Sequence, residues 1–132
     1  MTLTMNKPAL EVLRGGFSIH RYNPDNPVPR SVLESAFYWV GKTDEELSIV
    51  CESSIALEGG RVNAGWSCVK VCGPIDLSVT GVLAGIADVL ASARICILAV
   101  STYDTDYILV KSSHLEQAVC ALGEAGYDVR VP

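Results

Sequence analysis

Ser101, Thr102, Tyr103, Asp104, Thr105 and Asp106 form an unbroken polar run between two apolar stretches. Carboxylates two residues apart among hydroxyls suit two kinds of chemistry: accepting charge-assisted hydrogen bonds from an ammonium, or acting as an acid–base pair. A turn that only reversed the chain would favour Asn-Gly or Asp-Gly, and neither dipeptide occurs here. The bland alternative is a solvated polar turn. If the following strand has begun by Asp104, alternation points Asp104 and Asp106 to the same side.

The elements that position this run follow from hydrophobic period. Ile95–Val100 and Thr105–Lys111 read as the two strands of a hairpin with the polar run at its tip. Before it, Trp66–Cys72 alternates as a strand ended by Gly73-Pro74, and Val79, Val82, Leu83, Ile86, Leu90 and Ala93 recur at helical spacing. After it, Ser113 and Glu116 have capping-box spacing, Leu115, Ala118, Val119 and Leu122 make a helical face, and Gly126 is the expected stop. Tyr127–Val131 alternates as a last strand. The order β-α-β-β-α-β predicts an α+β ferredoxin-like sandwich, with the strands at Trp66 and Thr105 central and those at Ile95 and Tyr127 at the edges. Ile95–Val100 is apolar on both faces and carries no edge-blunting charge or proline, so it invites another strand, from the first half or from a second copy.

The first half lacks a long helix. Ala9–Arg14, Phe17–Tyr22, Phe37–Gly41 and Leu47–Glu52 read as strands, with Gly15-Gly16 a bend and Pro24, Pro27 and Pro29 marking a loop. Ser31–Ser35 suits one helical turn, and Thr43 is placed to cap the turn before Leu47. Ser53–Ala64, with Gly59-Gly60, is the expected linker. The expected division is residues 1–62, strand-rich, and residues 63–132, complete.

At 132 residues, about half of them hydrophobic, the chain can bury a real core. A net charge of −5 without a basic cluster opposes nucleic-acid binding. No apolar run is long enough to span a bilayer and no signal-peptide core is present, so a cytoplasmic protein is expected. Five cysteines, an odd count, sit mostly within apolar patterns and read as reduced core residues. Cys68 and Cys72 are too far apart on one strand to chelate an ion, and no C-x-x-C occurs, so no metal and no cofactor are expected. His20 and His114 are not sequence-linked to a cysteine, which argues against nucleophilic catalysis.

The helix-entry loop Gly73-Pro74-Ile75-Asp76-Leu77-Ser78-Val79-Thr80-Gly81-Val82 and the tip Ser101–Val110 resemble the ACT domain, a ferredoxin-like module that binds amino acids and other small metabolites in regulatory proteins. Within that family the chain is similar to small bacterial ACT proteins and to the tandem repeats of the arginine sensor CASTOR, with a degenerate ACT-like first half. The resemblance implies a non-catalytic, amino-acid-binding sensor, working as a homodimer or with a partner protein through the Ile95–Val100 edge. Its ligand site would combine Asp76, Leu77, Ser78, Val79, Thr80 and Gly81 with Ser101, Thr102, Tyr103, Asp104, Thr105 and Asp106. The physical reading agrees: a helix start seats a carboxylate, Gly81 admits close backbone approach, and the tip carboxylates accept from an ammonium. The alternatives are an oligomerising interaction protein with a vestigial pocket, or a carboxylate-dependent hydrolase.

Overall fold

A computed structural model describes residues 7–73 and 81–132. The chain divides into two compact units, one over Gly15–Trp66, the other over Ser67–Pro132 with the stretch ending at Arg14. The expected cut lay between residues 62 and 63.

In the unit Gly15–Trp66, β2 (Phe17–Tyr22), β3 (Tyr38–Lys42), β4 (Leu47–Glu52) and the start of β5 (Arg61–Val71) are ordered β3-β4-β2-β5, all neighbours antiparallel. The proline-rich stretch gives way to a single helical turn, α1 (Arg30–Leu33), which begins directly after Pro29. Val32 from that turn packs with Tyr22, Leu47, Ile49 and Cys51 to form this unit's core. Thr43 closes the β3–β4 turn as expected, its hydroxyl accepting from the Glu45 and Glu46 amides at 3.1 and 3.2 Å. The linker reading of Ser53–Ala64 fails at its end, where Arg61–Ala64 already belong to β5. Their exposed side chains hide the strand, but their backbone is paired with β2, with His20 opposite Val62 and Ile19 opposite Asn63.

The other unit holds β1 (Leu10–Val12), the remainder of β5, α2 (Val82–Ser92), β6 (Ile97–Ser101), β7 (Asp106–Lys111), α3 (Leu115–Glu124) and β8 (Val129–Arg130). This is the ferredoxin-like α+β arrangement, with one departure. β1 lies between β5 and β8, antiparallel to the first and parallel to the second, so the strand after Tyr127 borders the start of the chain rather than β5. Leu10 and Val12 point into the core beside Val69, Val71, Ile108 and Val110. The i, i+4 pairs Ile86/Leu90 and Ala118/Leu122 bring α2 and α3 onto the same core. Each large aliphatic residue so buried contributes about 1.5–3 kcal/mol.

Both helices end the same way. In α3 the Tyr127 amide donates to the Leu122 carbonyl and the Gly126 amide to Gly123, each at 3.0 Å, with Gly126 at φ +98, as the stop signal predicts. In α2 the Ile95 and Arg94 amides donate to Leu90 and Ala91, each at 2.9 Å, and the left-handed position falls on Arg94 at φ +61. Ile95 thereby closes the helix and enters the core, and β6 starts two residues later than expected. The capping box is absent. Ser112–His114 form a short 3-10 turn, α3 begins after His114 without a side-chain cap, and the Ser112 hydroxyl instead shares a 2.8 Å hydrogen bond with that of Ser67. The expected helix start at Val79 lies outside the described residues.

Candidate functional site

The tip is built by its threonines. β6 and β7 pair from Ile97 opposite Val110 to Ser101 opposite Asp106, leaving residues 102–105 to reverse the chain. The Thr102 amide donates to the Thr105 carbonyl at 2.8 Å, and the Thr102 hydroxyl accepts from the Thr105 amide at 3.3 Å. That side chain stands in for the special backbone angles an Asn-Gly turn would supply. Thr105 is 7% exposed, and its hydroxyl donates to the Val71 carbonyl at 2.6 Å, anchoring the tip to the end of β5. Tyr103, 83% exposed, stands out into solvent.

The two carboxylates part company. β7 begins at Asp106, so Asp104 lies in the turn and strand alternation does not govern it. The expectation that both point to one side depended on an earlier strand start. Asp106 precedes Ile108 and Val110 on the core-facing side of β7, and its carboxylate accepts from the Ser101 hydroxyl across the ladder. Asp104 instead lines a cavity of about 290 Å³ together with Lys70, Gly73, Thr102, Thr105 and Tyr107. Thr105 and Tyr107 reach it because they occupy the other face of the chain from Asp106.

Lys70 was not among the expected site residues. On β5 it stands between Val69 and Val71, which face the core, so its ammonium belongs to the opposite side, where Glu11 of β1 is its cross-strand neighbour. A single charge in the otherwise uncharged alternation of Trp66–Cys72 is the available signal. The cavity thus carries one cation and one carboxylate with threonine hydroxyls and a tyrosine ring, the complement of a zwitterion. Gly73, at its rim, leads directly into residues 74–80. Asp76, Leu77, Ser78, Val79 and Thr80 lie outside the described residues. Gly81 precedes α2 in the left-handed conformation, φ +85, with no side-chain cap among the described residues, and the start of this 11-residue helix presents the positive end of its dipole. Among the described residues no group of three or more His, Cys, Asp or Glu side chains is placed to hold a metal, and no helix is long and apolar enough to cross a membrane. The cysteines are all free; Cys51 and Cys68 are core residues, whereas Cys96 and Cys120 are exposed, contrary to the core reading of most of them.

This fold and tip define a class. The ACT-domain family model matches residues 61–124, and an N-terminal-domain family model matches residues 15–56. Protein Atu0741 from Agrobacterium tumefaciens is 33% identical, covering 97% of this chain and 96% of its own, with a TM-score of 0.89. The chain therefore belongs to the family of Atu0741 and carries an ACT domain at residues 61–124. The fold extends further. Vibrio cholerae protein VC0802 is 23% identical over 88% of each chain, TM-score 0.68. The regulatory subunit of aspartate kinase from Thermus thermophilus, in its ligand-free form, is 16% identical over 92% of this chain and 99% of its own, TM-score 0.67. No curated protein matches the sequence.

Proposed function

We propose that this protein is a non-catalytic sensor of a free amino acid, held in the cavity at the hairpin tip. The observation that carries the reading is that Lys70 and Asp104 line one cavity of about 290 Å³ together with Thr102, Thr105 and Tyr107. Asp104 accepts from the ligand ammonium. Lys70 and the first amides of α2 take the carboxylate, and Tyr107 flanks the ligand side chain. Charge-assisted hydrogen bonds of roughly 1.5–3 kcal/mol each, less the entropic cost of association, give affinities between about micromolar and millimolar. The ACT domain and the aspartate kinase regulatory subunit among its structural neighbours support a regulatory, small-molecule-binding role. The hydrolase reading is disfavoured by the separation of the carboxylates, with Asp106 engaged by Ser101 and absent from the cavity lining.

Occupancy is passed on through β6. Among the described strands β6 pairs only with β7, and its other side is where a second copy of the chain would add a strand. Isothermal titration against the common amino acids tests the site. One of them binds wild type, and Asp104→Asn and Lys70→Met each weaken it at least tenfold while Asp106→Asn does so less. Absence of binding to wild type, or binding indifferent to both cavity variants, refutes the reading. Native mass spectrometry with and without that amino acid then reports whether assembly follows occupancy.

A further inference from the structure

Within the unit Gly15–Trp66, Arg21 of β2 stands directly opposite Arg61 of β5. Like charges in directly opposed positions of an antiparallel pair repel, and an anion between them removes that penalty. Arg21 is partly engaged elsewhere. Its Nη2 donates to the Glu45 carbonyl at 3.3 Å, and its Nε lies 4.0 Å from the Glu46 carboxylate, whose other oxygen accepts from the Ser48 hydroxyl. Arg61 forms no ion pair among the described residues. Both arginines line one cavity of about 300 Å³, with Asn23, Asp25, Asn26 and Gly60 around them.

Close approach of the strands keeps the arginines in register. Gly60 sits at φ +67, and a Cβ there would lie 2.6 Å from the Arg21 carbonyl oxygen and 2.7 Å from the Tyr22 ring. Only glycine lets β5 start this near β2. Opposite, the Asn26 amide donates to the Asn23 carbonyl at 3.0 Å, a turn that brings both asparagines to the cavity.

We infer that this cavity binds a small oxyanion, a phosphate or carboxylate group, between Arg21 and Arg61. Guanidinium forks present paired N–H donors that match either group, and the Asn23 amide adds a neutral donor, whereas the Asn26 side-chain amide already donates to the Pro27 carbonyl at 2.9 Å. Asp25 on the lining makes the site selective, disfavouring a dense polyanion and favouring an anionic group whose neighbour donates a hydrogen bond. The site stands apart from the amino-acid reading, resting on residues of the other unit.

Thermal melting of the full chain tests it, with sodium phosphate, sodium acetate and sodium chloride at matched ionic strength. Phosphate or acetate raises Tm saturably beyond chloride, and which of the two acts at lower concentration identifies the preferred group. Arg61→Gln abolishes the response and does not lower Tm in anion-free buffer, because it removes half of a repulsive pair. Arg61→Lys, which keeps the charge and loses the fork, weakens the response. Arg30→Gln, outside the cavity and paired with Glu34, retains it. Equal shifts in all three salts, or a full response in Arg61→Gln, overturn the inference.

Discussion

Replacing Thr105 by valine keeps the shape of the side chain and deletes one hydroxyl, so it isolates the bond that fastens the hairpin tip to β5. In the folded protein that hydroxyl is buried and donates to the Val71 carbonyl at 2.6 Å. A net hydrogen bond is worth about 1 kcal/mol, and a buried acceptor deprived of its donor raises the loss, so Thr105→Val costs roughly 1–2 kcal/mol. For a chain of this length that is a fall of about 4–8 °C in Tm. Urea unfolding followed by tryptophan fluorescence gives the same quantity as a shifted midpoint without a changed slope. Thr105→Ser retains the hydroxyl and loses less, whereas Ser101→Ala, whose hydrogen bond to Asp106 is exposed, loses little. A Thr105→Val loss below about 0.5 kcal/mol, the range of ordinary surface changes, or equal losses in the valine and serine variants, would refute the anchoring role. Because Thr105 also lines the cavity, the valine variant weakens amino-acid binding as well.

Two further outcomes follow from burial and charge. His20, 6% exposed and stacked on Tyr22, has its pKa lowered from 6.5 by desolvation. The unfolded chain therefore takes up the proton first, so stability is complete above about pH 6.5 and falls as pH drops below it towards the folded-state value. Urea midpoints between pH 7.5 and 5.5 show this slope, and His20→Gln reduces it. Cys120 is exposed, but the Glu124 carboxylate beside it, with Glu116 a lesser influence, pushes its thiol pKa up. Maleimide labelling read by mass spectrometry at pH 7.5 is accordingly slower at Cys120 than at exposed Cys96, and Glu124→Gln speeds it. Buried Cys68, pushed up to about 12 by desolvation, labels only on unfolding.

Local signals suffice where one element decides the outcome. The hairpin, the stop at Gly126, the Thr43 turn and the helical stripes each depend on residues a few positions apart, and period and turn chemistry express them. What escaped was set by distant partners. Arg61–Ala64 have no strand-like apolar pattern because their outward side chains meet solvent, and only the pairing with β2 makes them a strand. Ser113 had the spacing of a cap, but a 3-10 turn precedes α3 and its neighbour Ser112 bonds to Ser67. At the tip the roles are distributed by the strand start: Thr102 and Thr105 build, Asp104 lines the cavity, and Asp106 faces the other way. Lys70 is the one charge in the Trp66–Cys72 alternation, but its closeness to Asp104 is set by the packing of distant elements.

The placement of β1 bears on how the chain is made. Leu10 pairs with Val71 and Val129, so almost the whole chain separates it from the strand at its far side. The unit Gly15–Trp66 is complete in sequence before either partner of β1 has been synthesised, and most of its contacts lie within itself. The first strand must wait, an apolar Leu-Glu-Val segment held open until β5 and then β8 arrive. High contact order of this kind makes its closure a late and slow step. Once residues up to Trp66 have left the ribosome, the first strand is therefore still without either of its partners.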